Sequence, residues 1–445
     1  MSGLCTDLYE LTMARGYFET GKNPVATFDV LVRSLPKNRS YLLAAGLEQA
    51  LDFLEALSFS DEDIGYLQSL PAFGEASKDF WDYLRGFRFS GDVRTLPEGT
   101  VFFPNEPVLS VTAPLIEGQI AETALVSILN LQSMVATKAE RVVRAARGRG
   151  VVDFGARRAH GPAAALYTAR ASYIGGCTGT SYVEAGKRFN IPVIGTMAHS
   201  WVLAFPSEQE SFRAYADVFP ENVVLLIDTY DVRDGARHAA RVGKLLKGVR
   251  LDSGDLLKDS KTVRRILNRA GLGEAKIIGS GDLNEFKIAK MLNDGAQFDL
   301  FGVGTHMVVS MDQPTLATNY KLVEINEAGT PRYRAKFSEA KATLPGRKQV
   351  YRFRDARGIF DSDEITLADE PPLDAAEPLL SPVMAKGKRL TASPSLEEIR
   401  RRVAEQCKAL PENLLELQGK GRYRVTLSRS LRELTRKLKE EARSP

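Results

Sequence analysis

Between residues 150 and 306 one pattern recurs. A short apolar run ends in Gly, Ser, Thr or Asp, and an amphipathic helical pattern follows. VIGTMAH closes its run at Gly195-Thr196 with His199 just beyond. VVLLIDTYD reaches Asp228, GVRLDSGD reaches Asp252, KIIGSGD reaches Asp282, and FDLFGVGTH reaches Thr305-His306. Strand candidates begin near Val151, Pro192, Val223, Gly248, Lys276 and Phe298, with a weaker one in SYIGGCT. They return every twenty to thirty residues or so, about the repeat of βα units in a parallel sheet. Seven such units in one run predict a (β/α) barrel. No GxGxxG turn follows the first strand, which argues against a doubly wound dinucleotide-binding sheet.

The flanking segments read differently. TDLYELTMARGYFET has helical spacing with Thr6 as the expected cap, ATFDVLVR alternates like a strand, and YLLAAGLEQALDFLEAL returns to helical period. GTVFFPNEPVLSVTAP is strand-rich but broken by prolines, which predicts edge strands or turns. After Gln313, NYKLVEI, RYRAKFS, KQVYRFRD and GIFDSDEITL predict antiparallel strands. The expected division is an N-terminal α/β domain over 1–115, an irregular (β/α) barrel carrying the active site over 116–317, antiparallel strands completing the N-terminal domain over 318–395, and a helix-strand-helix segment over 396–445. The fold class is therefore α/β, a barrel beside a discontinuous α/β sandwich domain.

Charge and cysteine usage narrow the functional classes. The net charge of +4 is concentrated in residues 396–445, where 13 Lys and Arg face 8 Asp and Glu, so the remainder is close to neutral. The basic residues of SRSLRELTRKLKEEAR alternate with acids at helical spacing and predict a solvated helix face; nothing points to nucleic acid. Cys5, Cys177 and Cys407 are far apart, odd in number and lack metal spacing, so reduced thiols and a cytoplasmic location are expected. Asp7 and Glu10 interrupt any signal-peptide core, and no apolar run approaches a membrane span.

A barrel presents its reactive residues at strand C-termini. DFGARR at 153–158 combines an acid, an aromatic face and two guanidinium forks, suited to an anionic aromatic ligand. Arg250 and Asp252 lie two residues apart on one face of an extended strand. The Gly-rich GSGDL and GVGT segments offer backbone N–H groups to phosphate. Among four histidines, His238 is expected to be incidental, His160 to cap the next helix, and His306 to lie behind the phosphate loop. His199, beside such loops, has the chemistry of an acid, a phosphate ligand or a nucleophile.

Several of these stretches together resemble the nicotinate phosphoribosyltransferases: TDLYELTMA, SLP with YLLAAGLEQAL, VVDFGARRAHG, VIGTMAHSW, LIDTYD, GVRLDSGDL, FGVGT and TLPGRKQVYR, in family order over most of residues 6–352. The resemblance implies a cytoplasmic homodimer with shared active sites that joins nicotinate to 5-phosphoribosyl 1-pyrophosphate, with Mg²⁺ as cofactor and ATP as co-substrate. It further implies that Phe154 and the partner's copy of Tyr9 sandwich the pyridine, while Arg250, Thr196 and Arg157 hold the nicotinate carboxylate and nearby oxygens. Asp252 with Ser280, Gly281 and Asp282 would take the ribose, and Gly304 and Thr305 the 5-phosphate. Arg33 and Lys321 would contact pyrophosphate, Asp228 would sit near Mg²⁺, and His199 would be phosphorylated by ATP. The alternatives are a nicotinamide or quinolinate phosphoribosyltransferase, which share the barrel, and a non-catalytic sugar-phosphate binding protein.

Overall fold

A computed structural model describes residues 2–338, 342–419 and 421–443. The chain separates into two compact units, one formed by Met1–Ser133 with Thr315–Pro445, the other by Met134–Pro314. The first boundary falls inside the helix Glu122–Ala145, later than the 116 expected from the change of sequence rhythm.

The central unit is built on six parallel strands in the order Gly179–Thr180, Gly150–Asp153, Leu300–Val303, Lys276–Gly279, Leu246–Leu251 and Val223–Leu226. Val193 adds one parallel bridge to Thr180. Among the described residues the two outer edges are not bonded to each other, so the sheet is a curled half-barrel. Its strands are Val-, Ile- and Leu-rich because helices cover them, as parallel sheets require. SYIGGCT does not supply a strand. Ser172, Tyr173 and Ile174 finish the helix Pro162–Ile174, and the strand starts only at Gly179. That helix is buried all round its C-terminal half, so its β-formers show no period by which to tell helix from strand.

Three of the helices that follow strands begin at side-chain caps. Asp231 accepts from the N–H groups of Arg233 and Asp234, Asp255 from that of Lys258, and Asn284 from those of Phe286 and Lys287. Each cap lies two or three residues beyond a strand-end acid: Asp228, Asp252 and Asp282 respectively. The loops thus carry two kinds of polar residue, one that starts a helix and one left for other work.

The other unit holds a seven-stranded antiparallel sheet, ordered Thr330–Tyr333, Thr318–Glu327, Val25–Val32, Pro107–Pro114, Asp92–Thr95, Ser381–Ala385 and Lys388–Arg389. Pro107–Pro114 is its middle strand, not an edge. Its prolines stand at the two ends, where a missing N–H leaves the ladder between Val108 and Ala113 intact. A second sheet orders Ala376–Pro378, Lys348–Arg354, Phe360–Leu367 and Arg424–Leu427, with the last pair parallel. Helix Leu8–Glu19 is preceded by Asp7, with no side-chain cap bond. Thr6 instead turns its hydroxyl to Glu10 and to the Ile120 carbonyl, because the buried Glu10 carboxyl must collect donors, Thr123 also among them. The basic C-terminal helix Arg429–Glu441 buries only Leu431 and carries the i,i+4 pairs Arg429–Glu433 and Lys437–Glu441, a solvated face.

Candidate active site

The parallel register brings the strand-end loops to one end of the central unit, and those after Gly150–Asp153, Gly179–Thr180, Leu246–Leu251, Lys276–Gly279 and Leu300–Val303, with the segment 195–198, enclose a cavity of about 500 Å³. Its lining includes Phe154, Arg157, Thr196, Arg250, Asp252, Ser280, Gly281, Asp282, Gly304 and Thr305. Ten of the residues singled out from the sequence therefore share one site. Arg158, Ser181 and Met197 also line it. Arg158 is visible in the sequence only as the second arginine of DFGARR.

One side of the cavity is a paired cation and aromatic ring. Arg250 is largely buried, donates from Nη1 to Thr196 Oγ1 at 2.9 Å, and lies 5.9 Å from the Phe154 ring centroid. Its Nε is buried without a partner among the described residues. Such a donor seeks an oxygen acceptor, and a planar carboxylate suits a guanidinium fork. Burial pulls the Arg250 pKa down, while Asp252 and Asp228 oppose that shift. The Phe154 ring is seated on backbone: a Cβ on Gly302 would come within 2.3 Å of it. Only glycine leaves the ring where it is.

The acids form a second group. Asp252 Oδ1 accepts from Ser280 Oγ at 2.6 Å, so Ser280 orients that carboxylate. Asp228 Oδ2 accepts from the Asp252 N–H at 2.9 Å and from Ser253 Oγ at 2.7 Å. Its Oδ1 is buried with no hydrogen-bond partner among the described residues. Gly281 has φ +91°, and a Cβ there would fall 1.9 Å from the Asp252 carbonyl oxygen, so the two loops meet at van der Waals contact. Asp282 is itself left-handed, at φ +46°. Lys287 Nζ holds its carbonyl at 2.8 Å.

His199 opens the helix His199–Leu203 and places Nδ1 3.1 Å from Thr229 Oγ1, next to Asp228 in the chain. If Nδ1–H donates to that hydroxyl, Nε2 keeps its lone pair. His306 is half-buried, and burial together with Lys138 and Lys287 pushes its pKa down, so it is neutral at physiological pH. His160 caps nothing: Gly161 precedes the helix Pro162–Ile174, and no side chain caps it. His238 is not incidental, since its Nδ1 lies 2.7 Å from Glu208, whose pKa burial pushes up. A helix pattern could not show that partner, which sits thirty residues away on another helix.

No cluster of three or more His, Cys, Asp or Glu residues encloses a metal position among the described residues. Mg²⁺ does not need one, because it is commonly held by one or two carboxylates together with substrate phosphates and water. The orphaned Asp228 Oδ1 fits that pattern.

Tyr9, Arg33 and Lys321 belong to the other unit. Tyr9 is half-exposed on helix Leu8–Glu19, and its pKa is raised by burial and by Glu122 and Glu10. Arg33 donates its N–H to the Ala317 carbonyl and has a buried Nε without a partner among the described residues. Lys321 pairs in register with Asp29 across two strands.

Three family profiles and several relatives match the chain. The N-terminal-domain profile of nicotinate phosphoribosyltransferase (NAPRTase) matches residues 4–130, the NAPRTase family profile 150–341, and the nicotinate phosphoribosyltransferase C-terminal-domain profile 374–435. A nicotinate phosphoribosyltransferase of Mycobacterium tuberculosis is 45% identical, over 98% of this chain and 94% of its own length. One from Bacillus subtilis is 42% identical, over 82% and 76%. The crystal structure of human nicotinic acid phosphoribosyltransferase superposes with TM-score 0.87 at 29% identity, covering 97% of this chain and 99% of that one. Nicotinate-nucleotide pyrophosphorylase from Pyrococcus furiosus gives 0.74 at 29% identity, covering 92% and 95%.

Asp153 holds the turn that carries Phe154. Its Oδ1 accepts from the Gly155 N–H and its Oδ2 from Thr180 Oγ1, both at 2.8 Å, and burial pushes its pKa up to about 6. A carboxyl whose pKa rises on folding contributes stability that is complete below its ordinary range and is lost as pH rises through the folded value. Relative to Asp153→Asn, the native protein should therefore lose on the order of 2 kcal/mol of unfolding free energy between about pH 4 and pH 7, with no further change above. Urea titrations of both proteins across that range measure it; a difference that does not vary with pH excludes a neutral Asp153 in the folded state.

Proposed function

The chain belongs to the nicotinate phosphoribosyltransferase family and carries that activity, and from this premise we propose how its residues perform the reaction. Nicotinate and 5-phosphoribosyl 1-pyrophosphate give nicotinate mononucleotide and pyrophosphate. The pyridine nitrogen attacks ribosyl C1 with its own lone pair as the C1–O bond breaks, and that bond's electrons leave with pyrophosphate. No proton has to be removed to make the nucleophile, so catalysis reduces to alignment and to stabilising charge around C1.

The single observation that carries the substrate assignment is the Arg250–Thr196 pair beside the Phe154 ring, with a guanidinium N–H that has no partner among the described residues. In this reading the ring stacks on the pyridine while Arg250, Thr196 and Arg157 receive the carboxylate. Asp252, oriented by Ser280, with Gly281 and Asp282 holds the ribose hydroxyls, and its negative charge favours the cationic character that develops at C1. Gly304 and Thr305 receive the 5-phosphate, and Arg33 and Lys321 the pyrophosphate. Asp228 would hold Mg²⁺, which when bound neutralises charge on the departing pyrophosphate. A cytoplasmic setting is supported by three cysteines that form no disulfide among the described residues.

Arg250→Ala should lower kcat/KM for nicotinate by about 2–3 kcal/mol, the loss expected for a charged hydrogen bond. The native enzyme should use nicotinate far better than nicotinamide, whose amide leaves the guanidinium poorly satisfied. Equal turnover of the two pyridines would sink the assignment.

Shared active sites are supported by Leu8, Tyr9 and Met13, apolar side chains exposed along one helix as a second copy of the chain would need. If Tyr9 serves the neighbouring subunit, inactive Tyr9→Ala and Asp252→Ala proteins should complement when mixed, because each heterodimer contains one intact site. Verified heterodimers without recovered activity would mean that each site is made by one chain.

ATP enters through His199. Thr229 engages Nδ1, which suits Nε2 to accept the γ-phosphoryl group while ADP leaves. The phosphohistidine then adds negative charge beside the ribosyl donor, and its hydrolysis couples ATP to product release. His199→Ala should retain slow ATP-independent transfer but lose ATPase activity and ATP stimulation. γ-Labelled ATP should leave an acid-labile, base-stable label on the native protein alone; equal labelling of the variant would move the acceptor elsewhere.

A further inference from the structure

Behind the cavity, and outside it, lies a buried ionic cluster that the reaction does not use directly. Lys138, on the helix Glu122–Ala145, is 1% exposed. Its Nζ lies 2.9 Å and 2.8 Å from the two oxygens of Glu285 and 2.7 Å from Asp312 Oδ1. Glu285 is fully buried and also accepts from Arg141 Nε at 3.2 Å.

The two acids occupy telling places in the chain. Glu285 opens the helix that begins just after Ser280, Gly281 and Asp282, and the same first turn supplies Lys287, which holds the Asp282 carbonyl. Asp312 ends the compact coil that begins at Gly304 and Thr305. Within that coil Met307 and Val308 donate to the Gly304 carbonyl, and Met311 donates to that of His306 at 3.2 Å. One ammonium group therefore ties together the segments behind the candidate ribose loop and the candidate 5-phosphate loop, from a single 24-residue helix. Stability alone does not account for it: burying these charges is costly, and apolar side chains of similar volume commonly replace such pairs without loss of stability.

We propose that Lys138 is a positioning residue for the phosphoribosyl donor, fixing the spacing between the loop 280–282 and the loop 304–305 through Glu285 and Asp312. The inference rests on the assignment of those loops to the ribose and the 5-phosphate. It predicts a defect confined to one substrate, because among the described residues Arg250 bonds Thr196 beside Phe154, apart from the cluster of Lys138, Glu285 and Asp312.

The test uses full-length enzyme with Lys138→Met and, since that change strands a buried carboxylate, the charge-balanced double variant Lys138→Met/Glu285→Gln. Steady-state kinetics are read with each substrate varied at saturating partner, alongside the melting temperature and the inhibition constant of ribose 5-phosphate. The double variant should melt close to the native protein. Its KM for the phosphoribosyl donor and its ribose 5-phosphate inhibition constant should both rise about ten- to hundredfold, as displacement of a positioned group by about an ångström entails, with KM for nicotinate unchanged. A double variant with native donor KM, or one in which both KM values rise together, overturns the proposal while leaving the enzyme's assignment intact. A native enzyme that forms no nicotinate mononucleotide in the same assay instead overturns the functional reading, and the proposal with it.

Discussion

Six strands hydrogen-bonded in parallel register decide nearly everything about the catalytic unit. Parallel neighbours cannot be joined by a hairpin, so a helix must carry the chain back across the sheet after each strand. Every strand then ends on the same side, and every loop on that side is released from returning the chain directly. Residues as distant as Phe154 and Thr305 meet in one cavity for that reason. The cost is that each loop must also start a helix, and Asp231, Asp255 and Asn284 take on that task. Because their neighbours cap the helices, Asp252 and Asp282 line the cavity and Asp228 accepts from the Asp252 N–H.

Close approach is the second constraint. Gly281 touches the Asp252 carbonyl and Gly302 supports the Phe154 ring, so two walls of the cavity are each built on a missing Cβ. Electrostatics then follow position. Arg250 is drawn from solvent but held between a hydroxyl and nearby carboxylates, and Asp228 keeps one oxygen without a partner among the described residues. A guanidinium with unused hydrogen-bonding capacity on the cavity wall suits a ligand that brings an oxygen acceptor such as a carboxylate.

Much of this architecture is legible in the residues themselves, for local reasons. Apolar runs ending in small polar residues announce parallel strands, and the DFGARR, GTMAH and LDSGD stretches place their chemistry at strand ends. The departures from the sequence reading also share a cause. The SYI of SYIGGCT ends a helix that burial on all sides hid, because it erased the periodicity. Pro107–Pro114 became a central strand because only its terminal residues are prolines. His238 acquired a role from Glu208, a partner that local pattern cannot supply.

Lys138 marks where local pattern stops being informative. In VATKAERVV it is one polar residue in a helical sequence, indistinguishable from a solvent-facing lysine until Glu285 and Asp312 are seen around it. The sequence by itself determined the order of βα units, the strand-end chemistry and the family, because these depend on residue type and short spacing. Only the tertiary structure decided which of two acids in a loop caps a helix, which glycine supports a ring, and which charged side chains are buried together. The last two outcomes depend on contacts between segments more than a hundred residues apart, and on the low-dielectric interior that makes an unpaired charge there costly.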